Sequence, residues 1–199
     1  MPKTSDDFWS HKWVQNGEPV KIEKYFAPNV KNFINDAIID TFTGVLNCQI
    51  LNIRNDCFCV IQFVCAVTAI IAFLLDKVWK YPSYREALFY CVVIYFLFYG
   101  LFMLYGYFII GNTILDCHEP EMSGLDLGHN WKVKTEFDPL KAEFTVNLYC
   151  RSLSTGKSNT GTLTQRVGRW IDEDGVVLCR VICKDIRVLH DQVLGKITN

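Results

Sequence analysis

The chain has 199 residues, enough for one or two ordinary domains, and its 20 Lys plus Arg nearly balance 21 Asp plus Glu, leaving a net charge of -1. That balance excludes the basic profile expected of a nucleic-acid binder. A content of 50% hydrophobic and 21% charged residues resembles a soluble globular protein. The average conceals a segregation, because residues 57–75 and 87–110 carry no Asp, Glu, Lys or Arg. The remaining positions hold all the charge, at a density of about 26%, an ordinary soluble value.

Residues 1–28 mix Trp9, Trp13 and Tyr25 with charges and show no sustained period, which suggests an extended N-terminal arm. From Asn29 the pattern changes. Val30, Phe33, Ile34, Ala37, Ile38, Thr41, Phe42 and Val45 recur at helical spacing and predict an amphipathic helix with Asn29 as N-cap, within a segment 29–56 that also holds a connector. Its polar face carries Asp36 and Asp40 as well as Lys31, which disfavours an anionic lipid surface.

The first uncharged window, 57–75, is about 28 Å long as a helix, close to the ~30 Å hydrocarbon core of a bilayer. The second, 87–110, would be about 36 Å long and must tilt or let its ends rest in the interface. Two such runs, bounded by Asp56, Asp76 and Glu86, predict two transmembrane helices rather than buried helices of a soluble core. The first run begins more than fifty residues in, behind a polar stretch, unlike a cleaved leader.

Only residues 76–86 separate the two windows, so the helices form an antiparallel hairpin with both flanks on one side. Trp79, Tyr81 and Tyr84 suit an aqueous interface, and Pro82 breaks the helix between the spans. Lys77, Lys80 and Arg85 make this loop basic. Taken alone, the positive-inside rule would place the loop in the cytosol.

In the first span Gln62, Cys65, Ala66, Ala69 and Ala72 share one side, a small-residue face of the kind that lets membrane helices approach closely. In the second, Tyr95 and Tyr99 share a face near the midplane, where a phenol hydroxyl needs a partner. Gln62, Ala66, Ala69, Tyr95 and Tyr99 are therefore the candidate helix-packing or subunit-interface residues, with packing inside the hairpin as the alternative.

Residues 111–130 hold four acids, no bases, three Gly and one Pro, which predicts an acidic linker. Trp131, Val133, Thr135 and Phe137, then Phe144, Val146, Leu148 and Cys150, alternate with polar residues around Asp138-Pro139, predicting a β-hairpin. A Ser/Gly loop over 152–160, a helix carrying Leu163, Val167, Trp170 and Ile171, and a central strand over 176–183 are expected to follow. The last helix presents Ile186, Leu189, His190, Val193 and Ile197 as one stripe. The fold class is thus a membrane α-helical hairpin with a small α+β C-terminal domain over 131–199 and an N-terminal amphipathic helix.

No constellation in the sequence supports catalysis, a cofactor or a metal. The nine cysteines include no CxxC pair. Cys179 and Cys183, on a strand, would stand about 13 Å apart, too far for one zinc. His190 and Asp191 are neighbours whose side chains diverge on a helix, suggesting a cap or surface role. Ser83 beside Lys80 lies in a turn too short to build a cleft. Asn-x-Ser/Thr is absent, in keeping with a cytosolic C-terminal domain.

Several strings together resemble the family of signal peptidase complex subunit 2. They are Pro19-Val-Lys-Ile-Glu-Lys-Tyr25, Val30-Lys-Asn32, Tyr81-Pro82, Ile94-Tyr-Phe96 and Leu189-His-Asp191, in order from about residue 12 to 197. Tyr25 stands where the family usually has Trp. The resemblance implies a non-catalytic accessory subunit in the endoplasmic reticulum membrane, multi-pass, with both termini cytosolic and the loop luminal. That topology outweighs three loop bases. The implied partners are the other complex subunits, including the catalytic serine protease subunit, the translocon β subunit and the lipid bilayer. A membrane-shaping or scaffold hairpin protein of the reticulum unrelated to proteolysis is the alternative; the alternation over 144–150 argues against it.

Overall fold

The computed structural model describes residues 13–15, 18–79, 83–120 and 128–198. The chain divides into two compact units: one joins the segment up to Leu51 with the segment from Asn112 onward, and the other is Asn52–Gly111. The domain expected over 131–199 is therefore larger, because residues on both sides of the apolar hairpin build it.

In the first unit, two-residue strands β1 (Val14–Gln15) and β2 (Glu18–Pro19) pair with each other, and Lys21 bridges to Val176 beyond them. Part of the expected arm is thus structured, with Ile22 buried; Trp9 lies outside the described residues. Helix α1 (Ala27–Asp40), extended by a π-helical turn over Thr41–Val45, begins at Phe26 in the N-cap position. Pro28 occupies its first turn, where a missing N–H costs nothing. The expected cap, Asn29, is inside the helix. The helix buries Val30, Ile34, Ala37 and Ile38, and Phe42 follows them into the core.

After strand β3 (Gln49–Ile50) the chain forms the second unit, two helices long and apolar enough to cross a membrane: α2 (Ile53–Val78) and α3 (Arg85–Tyr105), the latter continued by a π-helical turn over Gly106–Ile110. Both helical stretches run to 26 residues, about 39 Å at 1.5 Å per residue. They are longer than the uncharged windows because Arg54, Asp56, Asp76 and Lys77 of α2, and Arg85 and Glu86 of α3, extend them at polar ends. Lys80, Tyr81 and Pro82 lie outside the described residues. Tyr84, expected at an interface, is instead buried, its hydroxyl donating to Asp76 Oδ1 at 2.7 Å.

The first unit resumes with strands β4 (Thr113–Glu119), β5 (His129–Asp138), β6 (Glu143–Ser152) and β7 (Ser158–Arg166), all antiparallel in the order β3-β4-β5-β6-β7. The expected β5–β6 hairpin is present, from Trp131↔Cys150 to Phe137↔Phe144. The linker expected over 111–130 is corrected: β4 occupies 113–119 and buries Leu115 and Cys117, while 121–127 lie outside the described residues.

Two other expectations fail for a shared reason, apolar spacing that fits two periods. The helix expected around Leu163 is strand β7 followed by a single 3-10 turn, Val167–Arg169. Its alternating Thr160, Thr162 and Thr164 suit a pleated surface. The central strand expected over 176–183 is instead the approach to and first turn of helix α4 (Cys179–Thr198). There Cys179, Ile182, Cys183 and Ile186 form a buried stripe at i, i+3, i+4 and i+7 that runs on to Leu189, His190, Val193 and Ile197.

One face of the sheet is covered by α4 and α1. Trp131, Val133, Phe144, Val146, Leu148 and Cys150 point into that core, as do Trp170 and Phe42. Polar links hold the helices to it. Thr135 Oγ1 donates to Asn35 Oδ1 of α1 at 2.8 Å, and Asn159 Nδ2 donates to the Val193 carbonyl of α4 at 3.0 Å. Arg169 makes a forked pair with Asp185, through Nε at 2.9 Å and Nη2 at 3.0 Å, and Trp170 Nε1 donates to the same carboxylate.

Candidate helix-packing surface and buried polar cluster

Aromatic contacts join α2 to α3. Phe58 stacks on Phe102 with ring centroids 4.5 Å apart. Tyr105 donates its hydroxyl to the Arg54 carbonyl at 3.1 Å. Along α3 the stack continues through Tyr99–Phe102 at 6.3 Å and Tyr95–Tyr99 at 6.0 Å, the last pair nearly parallel at 9°. Tyr95 and Tyr99 thus belong to a ladder that ends on α2.

The other candidates stand elsewhere. Gln62, Ala66 and Ala69 are exposed on one face of α2 at i, i+4 and i+7, whereas Cys65 and Ala72 of the same expected stripe are half-buried. Gln62, Tyr95 and Tyr99 make no side-chain hydrogen bond to another described residue. Thr68, by contrast, satisfies its hydroxyl within α2 on the Val64 and Cys65 carbonyls, at 2.7 and 3.0 Å.

In the other unit, His190 is 3% exposed, which corrects the expected cap or surface role. Its Nε2 lies 3.1 Å from Glu119 Oε2 of β4 and its Nδ1 lies 3.1 Å from Asp191 Oδ1. The imidazole stacks on Trp131 at 4.3 Å, and Trp131 Nε1 donates to the same Glu119 oxygen at 2.6 Å. Burial alone would lower the His190 pKa, but the hydrogen bonds and charges of Glu119 and Asp191 raise it above the ordinary 6.5. Burial likewise favours a neutral Glu119, yet His190, Trp131 and the nearby His129 hold its pKa below the ordinary carboxylate value. Sequence spacing placed His190 on the buried stripe; its partner 71 residues away carries no local signal.

Three cysteines of this unit, Cys48, Cys150 and Cys179, are unactivated. Cys48 is pushed up by its hydrogen bond with Cys117 and by burial. Burial raises Cys150 and Cys179 to about 12 each, with the charge of Glu119 adding at Cys150 and that of Asp40 at Cys179. A thiol held protonated is a poor nucleophile. Among the described residues no three His, Cys, Asp or Glu side chains gather to hold a metal. Cys179 and Cys183, expected on a strand, are one helical turn apart on α4 and both buried.

These features define an α+β unit interrupted by a two-helix apolar insertion whose helices can each cross a membrane, with polar outward positions on the helices and buried polar groups committed to packing. The chain belongs to the family of the microsomal signal peptidase 25 kDa subunit, whose model matches residues 29–191. It is 22% identical over 182 residues to signal peptidase complex subunit 2 of Caenorhabditis elegans, covering 89% of this chain and 96% of that protein. It is 24% identical over 164 residues to the protein of the same name from Arabidopsis thaliana, covering 81% and 82%. The family that the collinear strings resemble is thus the family the chain belongs to.

Proposed function

We propose that this chain is a non-catalytic accessory subunit of the signal peptidase complex, anchored by its hairpin in the endoplasmic reticulum membrane. In this reading the serine protease chemistry belongs to a separate catalytic subunit. The observation that carries the reading is the pairing of β3 with β4, Gln49↔His118 and Ile50↔Cys117, across the whole apolar insertion. A chain that leaves one sheet and returns to the same sheet must cross a bilayer an even number of times. Two spans fit that requirement, with both flanking segments on one side, in the cytosol, and the short loop in the lumen.

Gln62, Ala66 and Ala69 form the outward face on which a neighbouring subunit's helix packs, the amide gaining a partner there that lipid cannot supply. Tyr95 and Tyr99 give their hydroxyls to the same assembly. The cytosolic unit contacts the translocon β subunit and so holds the peptidase near emerging chains. The uncharged part of α2 is slightly shorter than a typical hydrocarbon core, and the hairpin thins the bilayer locally, favouring short apolar segments of precursors.

Acceptor-site mapping tests the reading. An Asn-x-Thr placed in a lengthened loop between α2 and α3 becomes glycosylated in microsomes, whereas one beyond α4 does not. Modification beyond α4 alone would reverse the topology and remove the main support for the assignment.

A further inference from the structure

Strand β7 is a long, unprotected sheet edge. The bonds Ser152 N–H to the Lys157 carbonyl and Val167 N–H to the Ala142 carbonyl fix the hydrogen-bonding parity at both ends of the β6–β7 ladder. Odd-numbered residues of β7 turn their backbone groups toward β6. Ser158, Thr160, Thr162, Thr164 and Arg166 turn theirs away, and none of these outward groups is paired with another described residue. Natural sheets blunt such edges with proline, lysine, a bulge or a short strand. The opposite edge follows this rule, since β3 has two residues. Strand β7 has nine, with regular register and no proline.

We propose that β7 accepts an extended segment from another subunit of the signal peptidase complex, which adds a sixth strand to the sheet; this rests on the reading that the chain works within that complex. The added strand takes its affinity from backbone hydrogen bonds and its specificity from alternate side chains. Helix α4 lies directly over β7, because Leu189 and Val193 occupy the space a side chain on Gly161 would need. Inward positions of the added strand are therefore small or apolar. Its outward positions meet Thr160 and Thr162 at the rim of a groove of about 590 Å³, where Lys132 and Lys134 outnumber Glu136.

Charge selects between partners. Between Lys157 and Arg166 there is no acid, and both bases are exposed. Antiparallel pairing of two copies of β7 would join two edges that each carry a base near both ends and no acid between, gathering like charge at each end of the ladder. A segment of another subunit bearing carboxylates near its two ends fits instead.

The experiment is single-residue amide hydrogen exchange on the full chain, purified alone in detergent and within the intact complex. The outward amides of Thr160, Thr162 and Thr164 exchange at least about tenfold more slowly in the complex. Thr162→Pro, which removes one outward N–H at a position an edge strand tolerates, returns Thr160 and Thr164 to the rates of the isolated chain. Thr162→Val keeps the N–H and keeps the protection. If the proline variant also frees the inward amides of Gly161 and Leu163, it has disturbed β7 itself, and the wild-type and valine comparisons decide. Equal rates in the two states overturn the proposal, as does protection that grows with the concentration of the isolated chain, the mark of a second copy. Free outward amides in a complex that does contain the chain refute the strand addition alone, whereas a complex lacking the chain refutes both it and the accessory-subunit reading.

Discussion

His190 and Glu119 are separated by 71 residues of sequence yet meet at 3.1 Å, tying helix α4 to strand β4 next to the Trp131 ring. The two pKa shifts give this contact a defined pH window. His190 is raised, so its contribution is fully present below its ordinary 6.5 and is lost as pH rises through the higher folded value. Glu119 is lowered, so its contribution is present above its ordinary 4.5 and is lost as pH falls through the folded value. The stability difference between wild type and Glu119→Gln is expected to be largest between pH 4.5 and 6.5. It should reach about 2 kcal/mol there, the cost of leaving a buried polar group poorly matched. Denaturant unfolding at a series of pH values measures it, and a pH-independent difference would dismiss the ion pair.

Gly161 is the point of closest approach between α4 and the sheet, where an added Cβ would run into Val193 and Leu189. Gly161→Ala is expected to destabilise the α+β unit by about 1–3 kcal/mol through overpacking. Combining it with Val193→Ala should restore part of that loss, and additive effects in the double variant would show that the contact does not set the spacing.

The outward amide on α2 predicts a change in assembly without a change in fold. Gln62→Leu removes the amide proposed to bond a neighbouring subunit's helix, an interaction worth about 0.6–2 kcal/mol. Retention of the other subunits during detergent washing should therefore fall several-fold, while thermal unfolding of the α+β unit stays unchanged. Undiminished retention would place Gln62 against lipid.

Span length bears on substrate choice. Inserting four Leu residues into the uncharged part of α2 lengthens it by about 6 Å and should relax local thinning. Cleavage is then expected to become less selective for short apolar segments over full-length transmembrane ones. An unchanged ratio between the two substrate classes, measured in microsomes, would count against the thinning mechanism.

The hairpin of apolar helices was legible because charge is absent from two long windows, a signal that tertiary packing cannot disguise. The β5–β6 hairpin was legible because ten-residue strands repeat the period-two alternation several times around Asp138-Pro139. Strand β4 was hidden by its own acids. Asp116 lies on the outer face, while Glu119 turns inward and is matched by His190 and Trp131, contacts that form after folding. Strand β7 was hidden because Leu163, Val167, Trp170 and Ile171 also fit a helical spacing. The start of α4 was masked by an apolar run from Val176 to Cys183 that satisfies both periods. Of the candidate surface, the face shared by Gln62, Ala66 and Ala69 was readable from helical spacing, and so was the face shared by Tyr95 and Tyr99. What spacing could not show is that the tyrosine ladder runs through Phe102 to Phe58 on the other helix.

Purification of the chain from detergent-solubilised microsomes, followed by a signal-peptide cleavage assay on each resulting fraction, is the most direct test of the accessory-subunit role. One stoichiometric complex is expected to contain this chain and a serine protease subunit, with cleavage in that fraction and none by the chain purified alone. Cleavage by the isolated chain, or a fully active peptidase complex from which the chain is absent, would contradict it.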